Sequence, residues 1–447
     1  MKKRDALEGK KKKALKISII EGSANSVSTG ISNSYITPFA LKLTDKELFI
    51  GILSSFSGLI GPLAQLYGSK LMEKYSRKKI VAAAMFWQAI MWLPIILIAV
   101  LKFYDIQTSA LIYYLIIFYT LFASLAGIYY PPWFSWMGDL ISDEERGRYF
   151  GKRNTIHGLI ELVSVLIATL ILKIGENTTY EILGFASIFF LSFIFRLSSY
   201  FLIHKQYTPH AKSRKEYSLK ISTLIKQNKE YRIFATYQLF FNMAIMIASP
   251  FFAVYMLKEL GFGYGTYIAI TASSSIFYLI FTPLVGKFSD KYGNVRLLIL
   301  ANILFALNPL LWLFIKNPMG LIFIPQLVSG LANAAFIISF TNFSYDYLNK
   351  KERAVGIAYA NILSGIGIFI GSILGGLLLD YLSISFMSKF LFVFAIAAIL
   401  RALVAQAFLP KIREKKKVKR LPPMHVSVMH PFKSIHAEIG WVKHTFG

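Results

Sequence analysis

The sequence predicts an all-α, polytopic membrane protein with twelve transmembrane helices in two pseudo-symmetric six-helix bundles. Three observations support this fold class. Hydrophobic residues make up 55% of the 447 residues and charged residues only 16%, whereas about a quarter of the residues of a typical soluble domain are charged. Long apolar segments follow one another along most of the chain, and motifs from its first half recur in its second half.

The apolar segments are long enough to cross a bilayer. Residues 80–101 contain no charge and would form about 33 Å of helix at about 1.5 Å per residue, which suits a hydrocarbon core about 30 Å thick. The internal repeat supports those segments that contain Gly, Pro or polar residues. The predicted spans are 16–41, 47–71, 80–101, 108–136, 154–174, 181–203, 233–257, 263–285, 296–315, 319–345, 357–380 and 385–409.

Several features of the first half recur in the second. Residues 69–79 read SKLMEKYSRKK and residues 286–296 read GKFSDKYGNVR, and each copy places a carboxylate, Glu73 or Asp290, before a Lys-Tyr pair. A second set recurs after 207 residues: Asp139, Glu145, Arg146, Asn154 and Gly158 are answered by Asp346, Glu352, Arg353, Asn361 and Gly365. Arg196 has a counterpart 205 residues later in Arg401. Such repeats indicate two related halves.

The net charge of +26 follows the predicted topology. Most of the 49 Lys and Arg residues fall in alternate loops and in both tails. The loops on the other side hold only Lys42, Lys46, Lys102, Lys173, Lys258, Lys316 and Lys389. The positive-inside rule then places both termini in the cytoplasm and requires an even number of spans. The basic charge is therefore expected to meet anionic lipid headgroups and not nucleic acid.

The same sequence predicts how the chain is organised and which chemistry it lacks. The expected order is a basic cytoplasmic tail at 1–15, a helix bundle at 16–204, a basic linker at 205–232, a second bundle at 233–409 and a basic tail at 410–447. The chain has no cysteine, which excludes disulfides and thiolate metal sites. It also lacks phosphate-binding, metal-ligand and nucleophile motifs. No enzyme activity, cofactor or metal is expected.

The doubled loop motif, the twelve predicted spans and the central basic loop resemble the major facilitator superfamily over about residues 15–410. The second copy of the motif matches the family's loop pattern at Gly286, Asp290, Lys291, Gly293 and Arg296. The first copy departs from the pattern at Ser69, Glu73 and Ser76. The resemblance does not extend to drug/proton antiport, because segment 154–174 lacks the Gly-Pro-rich motif of those antiporters.

Charged residues at the cytoplasmic face are expected to gate the protein. A carboxylate at a tight turn can face the positive end of a helix, and the resemblance implies that Glu73 and Asp290 form a latch when this side closes. The alternative is that the charges only orient the chain. The predicted gating residues are Glu73, Arg77, Asp290, Arg296, Asp139, Glu145, Arg146, Asp346, Glu352 and Arg353.

Polar side chains inside the spans are candidates for binding a substrate or coupling ion, because they are costly there. On the first span, Glu21, Asn25, Ser28, Ser32 and Tyr35 recur at steps of three or four and share one helix face. We expect this face to line a central water-filled cavity, which the first, fourth, seventh and tenth helices line in the resembled family. The later candidates are His157, Glu161, Gln238, Asn242, Gln326, Asn333 and Asn361.

Two carboxylates are the candidates for proton coupling. Glu21 and Glu161 lie in predicted spans, where a carboxylate can take up and release a proton. The alternative is that both are solvated or paired near the cytoplasm. Arg196 and Arg401 are expected to extend from peripheral helices to headgroups. Because no cation then remains at mid-depth, a neutral, cationic or amphipathic solute is expected in preference to a strong anion.

The resemblance implies a secondary transporter of a small organic solute across the cytoplasmic membrane, working by alternating access with protons as the candidate coupling ion. Two alternatives stay open. One is a uniporter that facilitates diffusion, and the other is a non-transporting membrane protein such as a sensor or a lipid scramblase. One chain supplies both halves, so a monomer is sufficient.

Overall fold

The structure is a computed structural model, and it describes residues 2–106, 109–209, 228–349 and 352–415. Within these ranges, the side chains of residues 2–7, 143–144, 146–147 and 353–354 lie outside the description. Much of the predicted linker at 205–232 and most of the predicted tail at 410–447 also lie outside the described residues. No strand occurs in the described ranges.

Helices α1 to α8 form the first half of the chain. The amino-terminal tail, predicted as a separate segment, continues as helix into the first span, because its Lys, Ala, Leu and Glu residues are good helix formers. A 3₁₀ turn at Asn33–Tyr35 joins α1 to α2. The bounds are α1 Lys2–Ser32, α2 Ile36–Leu41, α3 Glu47–Leu71, α4 Arg77–Ile90, α5 Trp92–Phe103, α6 Leu111–Leu140, α7 Asp143–Gly175 and α8 Glu181–His204.

Helices α9 to α16 form the second half. A π-helical turn at Tyr255–Glu259 follows α10. The bounds are α9 Lys229–Met246, α10 Phe251–Val254, α11 Tyr264–Tyr292, α12 Asn294–Phe314, α13 Pro318–Phe323, α14 Pro325–Tyr347, α15 Arg353–Tyr381 and α16 Lys389–Phe408.

Prolines explain why three predicted spans are interrupted. The break between α4 and α5 precedes Pro94, the break between α9 and α10 includes Pro250, and α14 begins at Pro325. A proline has no N–H to donate and its ring clashes with the carbonyl one turn back. Each of these helices therefore stops and restarts within one predicted span.

The membrane-spanning elements agree with the predicted fold class. Among the described residues, eleven helices or joined helix pairs are long and apolar enough to cross a membrane. They correspond in order to the second through twelfth predicted spans. The first predicted span falls in α1 and α2, which continue directly from the charged tail. The prediction of an all-α, polytopic membrane protein is confirmed, and twelve helices in two bundles are consistent with these elements.

The chain divides into two compact units, which are described separately. Unit 1 comprises Met1–Tyr217, Met246–Ala269 and Asn361–Val393, and unit 2 comprises Ser218–Ile245, Ile270–Ala360 and Phe394–Gly447. Unit 1 therefore includes segments from both halves of the sequence. The predicted boundary between two bundles at the linker stays a prediction.

Helix pairing inside each unit follows the apolar faces. In unit 1, α1 packs on α7 and α8, α3 packs on α6, and α4 packs on α6 and α8. One buried core there surrounds Trp136, with Val81, Met85 and Leu140 against it. In unit 2, α12 packs on α14. Aromatic rings fill much of this second core, where Phe241 stacks on Phe336 at 4.7 Å between ring centroids.

Arg401 has a structural role in unit 2. Its side chain is only 2% exposed and donates hydrogen bonds to the carbonyl oxygens of Ala244 at 3.4 Å, Ile245 at 2.9 Å and Phe305 at 2.8 Å. The first two carbonyls belong to the last turn of α9, where a helix lacks internal donors. The third lies one turn before Pro309, which has no N–H. The prediction that Arg401 extends to lipid headgroups is wrong, because these backbone acceptors hold it inside the protein.

Candidate functional site

The first copy of the loop motif is anchored within its own half of the chain. Helix α4 begins at Arg77, and the preceding residue Ser76 caps it. The Ser76 hydroxyl accepts a hydrogen bond from the Lys79 N–H at 3.4 Å. The buried Arg77 guanidinium donates to the Ser135 carbonyl at 2.9 Å and to Asp139 Oδ2 at 2.6 Å. The carboxylate of Glu73 is exposed. Arg77 and Asp139, both predicted as gating residues, are therefore brought together across two neighbouring helices.

The second copy repeats this anchor with a different residue. Asn294 occupies the place that Arg77 has in the first copy, and its Nδ2 donates to Asp346 Oδ2 at 3.0 Å. Gly293 has φ of +96°, a conformation that favours glycine, and allows α12 to start directly after the loop. Arg296 donates to the Tyr292 carbonyl at 3.2 Å, while Asp290 is exposed. The latch role of Glu73 and Asp290 stays a prediction.

The remaining gating candidates make local contacts where they are described. Glu145 accepts a weak hydrogen bond from the Ser142 hydroxyl at 3.5 Å, and Glu352 accepts one from the Asn349 N–H at 3.1 Å. Both therefore sit close to helix starts, where a carboxylate is favourable. The side chains of Arg146 and Arg353 lie outside the described residues.

The Arg77 anchor leads to a stability prediction. Replacing Arg77 with Gln is expected to lower the free energy of unfolding by about 1–3 kcal/mol, because the Asp139 carboxylate and the Ser135 carbonyl lose a charged donor. Thermal unfolding of the purified protein would measure the loss. The exposed neighbour Lys79 provides the control, since Lys79→Gln removes the same charge from solvent. An equal effect of the two substitutions would contradict the assigned role of Arg77.

The polar face of the first span packs against other helices of unit 1. The Ser28 hydroxyl donates to the Ser192 carbonyl at 2.9 Å, and the Tyr35 hydroxyl lies 2.6 Å from Thr169 Oγ1. Ser32 bonds back to the Ser28 carbonyl at 2.7 Å. The prediction that this face lines a central cavity is wrong for these three side chains, because all three are buried and α8 and α7 supply polar partners for Ser28 and Tyr35.

Glu21 lies at the centre of a buried charged cluster. Its carboxylate Oε1 accepts a hydrogen bond from the Ser199 hydroxyl at 3.1 Å, and its side chain is 2% exposed. The guanidinium groups of Arg196 on α8 and Arg153 on α7 both act electrostatically on this carboxylate. Glu21 is thus buried against α8 in the field of two cations, whereas the sequence predicted that it would line a cavity.

Arg196 is the buried cation that the sequence prediction missed. It is 1% exposed, its Nη1 donates to Asn25 Oδ1 at 2.7 Å, and its guanidinium carbon lies 5.0 Å from the centre of the Tyr129 ring. The prediction that Arg196 extends to headgroups is wrong, since the side chain is buried and contacts Asn25 and Tyr129 inside the protein. The expectation of a neutral or cationic solute depended on that prediction and loses its basis.

Two further candidates on α7 differ in their surroundings. His157 Nε2 lies within hydrogen-bond distance of the Ile19 carbonyl, at 3.2 Å, and the ring faces the positive charge of Arg153. The side chain of Glu161 is exposed and has no ion pair or side-chain hydrogen bond within the described residues. The structure therefore brings His157, but not Glu161, next to the charged cluster.

The second-half candidates form small local pairs. Asn242 donates to the Gln238 carbonyl at 2.8 Å and to Gln238 Oε1 at 3.4 Å, and Asn333 donates to the Ser329 carbonyl at 2.9 Å. Gln238 is buried, and its Nε2 has no partner among the described residues. Gln326 is buried, while Asn361 at the start of the eleventh span is partly buried.

A second charged cluster, at the loops predicted to face outside, was missed by the sequence prediction. Asp380 at the end of α15 accepts hydrogen bonds from the Glu47 and Leu48 N–H groups at 2.8 and 3.2 Å. The buried Glu47 carboxylate in turn pairs with Lys258 at 3.4 Å and with Lys389 at 3.3 Å. An acidic residue at the end of an apolar span, as Asp380 is, was the available signal.

A similar contact caps a helix of the second half with an acid from the first half. Glu176, just after α7, accepts a hydrogen bond from the Tyr264 N–H at the start of α11 at 2.8 Å. The Tyr264 hydroxyl donates to Glu181, which also pairs with Lys42 at 2.7 Å. Within unit 1, acids from each half thus cap a helix of the other half. Such caps stabilise the positive helix end.

The chain matches known membrane transporters over most of its length. The family model described as Major Facilitator Superfamily matches residues 22–246 and 234–439. A class H tetracycline resistance protein of Pasteurella multocida is 31% identical over 117 residues, and multidrug resistance protein 2 of Bacillus subtilis is 25% identical over 170 residues. These matches cover 26% and 38% of this chain and 28% and 40% of the relatives, so the chain spans less than half the length of either.

Solved structures agree in fold. The crystal structure of the nucleoside transporter NupG superposes with a TM-score of 0.68 at 16% identity, covering 90% of this chain and 100% of that one. A bacterial homologue of the iron transporter ferroportin, in an inward-facing state, also gives 0.68 at 13% identity and covers 90% and 98% of the two chains. At these identities the likeness concerns the fold alone.

Proposed function

Because the chain belongs to the major facilitator superfamily, a family of membrane transporters, we propose that it is a secondary transporter of a small organic solute. It works by alternating access in the cytoplasmic membrane, with both termini in the cytoplasm, as a monomer without catalytic activity. The asymmetric distribution of Lys and Arg supports this orientation, and anionic headgroups are the partners of those basic residues.

The observation that supports coupled transport is the buried cluster around Glu21. A buried carboxylate in the electrostatic field of Arg153 and Arg196 is energetically unfavourable inside a membrane, and ionisable groups are kept at such depth chiefly for function. Glu21 can exist with or without a proton, and the net charge of the cluster differs by one unit between the two forms. Proton binding at Glu21 is therefore the proposed coupling step.

The contacts between acids and helix starts in unit 1 support a gating mechanism. Asp380 holds the start of α3, and Glu176 holds the start of α11. Each contact joins a residue of one half to a helix of the other, so each must break before a solute can pass between those helix ends. Charged caps of this kind can form and break reversibly, because water replaces the lost partners when the ends separate.

Glu21→Gln is expected to abolish accumulation of solute against its gradient while leaving exchange of solute across the membrane intact. The neutral side chain keeps the volume but holds no exchangeable charge. A solute would first be chosen from sugars, amino acids, organic acids, organic cations and antibiotics by its effect on thermal stability, because a ligand of the folded state raises it. Uptake into proteoliposomes under an imposed proton gradient would then be measured.

The exposed Glu8 supplies the control, since Glu8→Gln removes an equal charge far from the cluster and should transport as the unchanged protein does. Unchanged accumulation after replacing both Glu21 and Glu161 by Gln would show that neither carboxylate couples transport to protons, whereas equilibration without accumulation by the unchanged protein would indicate facilitated diffusion. Failure of every solute to bind or cross would indicate a membrane protein that does not transport.

A further inference from the structure

The two arginines related by the internal repeat are satisfied to very different degrees. Arg401 uses Nε, Nη1 and Nη2 in hydrogen bonds to three carbonyl oxygens. Arg196 uses only Nη1, while its Nε and Nη2 have no hydrogen-bond partner among the residues that the structure describes. Both side chains are almost completely buried. A structural role explains Arg401 but leaves two donors of Arg196 unexplained.

Unpaired buried donors are unfavourable, and those of Arg196 belong to a cation. A buried charged group is normally paired, because its removal from water is costly. Among the described side chains, the carboxylate that interacts electrostatically with Arg196 is Glu21, and Glu21 interacts with Arg153 as well. The Nε of Arg153 is likewise buried without a hydrogen-bond partner in the described part of the chain. Two guanidinium groups therefore share one acid, and the cluster has a net positive charge.

We propose that Arg196, supported by Arg153, binds the carboxylate group of the transported solute when Glu21 holds a proton. This inference rests on the proposed transport function and names the chemical class of its substrate. The unpaired Nε and Nη2 lie on one edge of the guanidinium plane, and two parallel N–H groups match the two oxygens of a carboxylate. A neutral or cationic solute would leave these donors unpaired.

Charge balance couples the proton to the solute. When Glu21 is ionised, its negative charge offsets one of the two arginine charges. A solute carboxylate then encounters a cluster with a net charge of only +1. With the proton on a Glu21 carboxylate oxygen, both positive charges are available to the solute. Proton and carboxylate then enter together, and their charges cancel. Binding of each must favour the other by the same factor.

Within the part of the chain that the structure describes, no other carboxylate acts on Glu21. From α7, the cluster receives Tyr149, Arg153 and His157. From α8 it receives Arg196 and the Ser199 hydroxyl, and α6 contributes Tyr129 over the Arg196 guanidinium. Tyr149 donates its hydroxyl to the Leu15 carbonyl at 3.1 Å. Glu21 is thus the acidic partner that protonation removes.

Tyr129 is the aromatic side chain that lies against Arg196. Its ring lies over the guanidinium carbon, and this tyrosine is partly exposed although Arg196 is not. Tyr129 lies on α6 just before Pro131 and Pro132, where the helix lacks two backbone donors. In this proposal, a movement of α6 at these prolines carries the ring away and opens a route from the exposed side of Tyr129 to Arg196.

The test uses acetate, the simplest carboxylate, with acetamide as its neutral counterpart. The full-length protein is placed in nanodiscs of phosphatidylcholine, so that no anionic lipid headgroup competes, and chloride keeps the ionic strength constant. Thermal unfolding is followed against acetate at pH 5.5 and pH 8. Acetate is expected to stabilise the protein more strongly at pH 5.5, and acetamide is expected to have no effect.

The variants separate binding from folding. Glu21→Gln should bind acetate about tenfold more tightly at pH 8 than the unchanged protein, because one bound ligand commonly changes the affinity for another by about 5–150-fold. The same variant should lose the pH dependence of acetate binding. Arg196→Gln should lose the acetate response, and Arg196→Lys should retain part of it. Each variant must first elute as a single folded species, and Arg196→Lys keeps the test valid if Arg196→Gln does not fold.

Three results would overturn the inference: equal stabilisation by acetate and chloride, equal responses of Arg196→Gln and the unchanged protein, or no acetate response in Glu21→Gln. Transport assays distinguish this from the proposed function. Accumulation of a neutral solute by Arg196→Gln would refute the carboxylate site while upholding transport. The expected acetate pattern without flux of any organic acid would uphold the site and refute the transport proposal.

Discussion

Replacing Arg401 by Met is expected to lower the free energy of unfolding by about 3 kcal/mol or more, because three buried carbonyl oxygens lose their donor at about 1–3 kcal/mol each. Methionine keeps most of the volume, so the loss reports hydrogen bonds and not a cavity. No water can replace the donor in the membrane interior. The carbonyl of Phe305 in particular has no N–H one turn ahead, since Pro309 stands there.

Two substitutions complete the measurement, which is thermal or denaturant unfolding of the purified protein. Arg401→Lys keeps the charge, but one ammonium cannot reach all three carbonyls, so its stability should fall between those of the unchanged protein and Arg401→Met. Arg232 is exposed, and Arg232→Met is the control. If Arg401→Met proved as stable as the unchanged protein, the free energy lost in burying the arginine charge would equal the free energy gained from its hydrogen bonds. The stabilising role assigned to Arg401 would then be wrong.

Removing the two caps that join the halves is expected to open the predicted outer end of the protein. The double substitution Asp380→Ala and Glu176→Ala deletes the acceptors that hold the starts of α3 and α11. A lost helix cap costs about 0.5–2 kcal/mol. Two caps together should therefore shift the balance between closed and open forms by about tenfold or more.

Cysteine labelling can measure this opening, because the chain has no cysteine of its own. Ser34 is partly buried, and its carbonyl accepts a hydrogen bond from the Tyr267 hydroxyl at 3.1 Å. Ser34→Cys should react about tenfold faster with a membrane-impermeant maleimide once both caps are removed.

The control for this experiment removes the same charge from the same face. Asp45 and Asp105 are exposed, and their replacement by Ala should leave the labelling rate of Ser34→Cys unchanged. An increase as large as that of the cap variant would indicate a general effect of charge. No increase in the cap variant would show that Asp380 and Glu176 do not hold this end closed.

Prediction from sequence succeeded where the signal was periodic or repeated. Apolar segments long enough to span the bilayer located the helices, because the membrane interior demands continuous helix. The doubled motif also indicated equivalent residues, and Arg77 and Asn294 do make equivalent contacts with Asp139 and Asp346. A repeat preserves local geometry even where the residue type changes.

Prediction failed where a role depended on which helix lies opposite. The face of Glu21, Ser28 and Ser32 was correctly identified as polar, but its partners on α7 and α8 are separated from it by more than 130 residues. Arg196 and Arg401 were treated alike because the repeat makes them equivalent. Their surroundings differ, since Arg401 donates to carbonyls left without an N–H partner by a helix end and a proline, whereas Arg196 contacts an asparagine and a tyrosine ring.

Hydropathy, charge bias and repeats are properties of short stretches of chain, and they were enough to identify a helical membrane protein with an internal repeat. They could not identify which charges are buried together, because that depends on tertiary contacts. Whether Arg196 reaches lipid headgroups or binds Asn25 beside Glu21 depends on the packing of α1 against α7 and α8. The free energy of a buried charge depends on the few groups around it, and folding brings those groups together from distant positions.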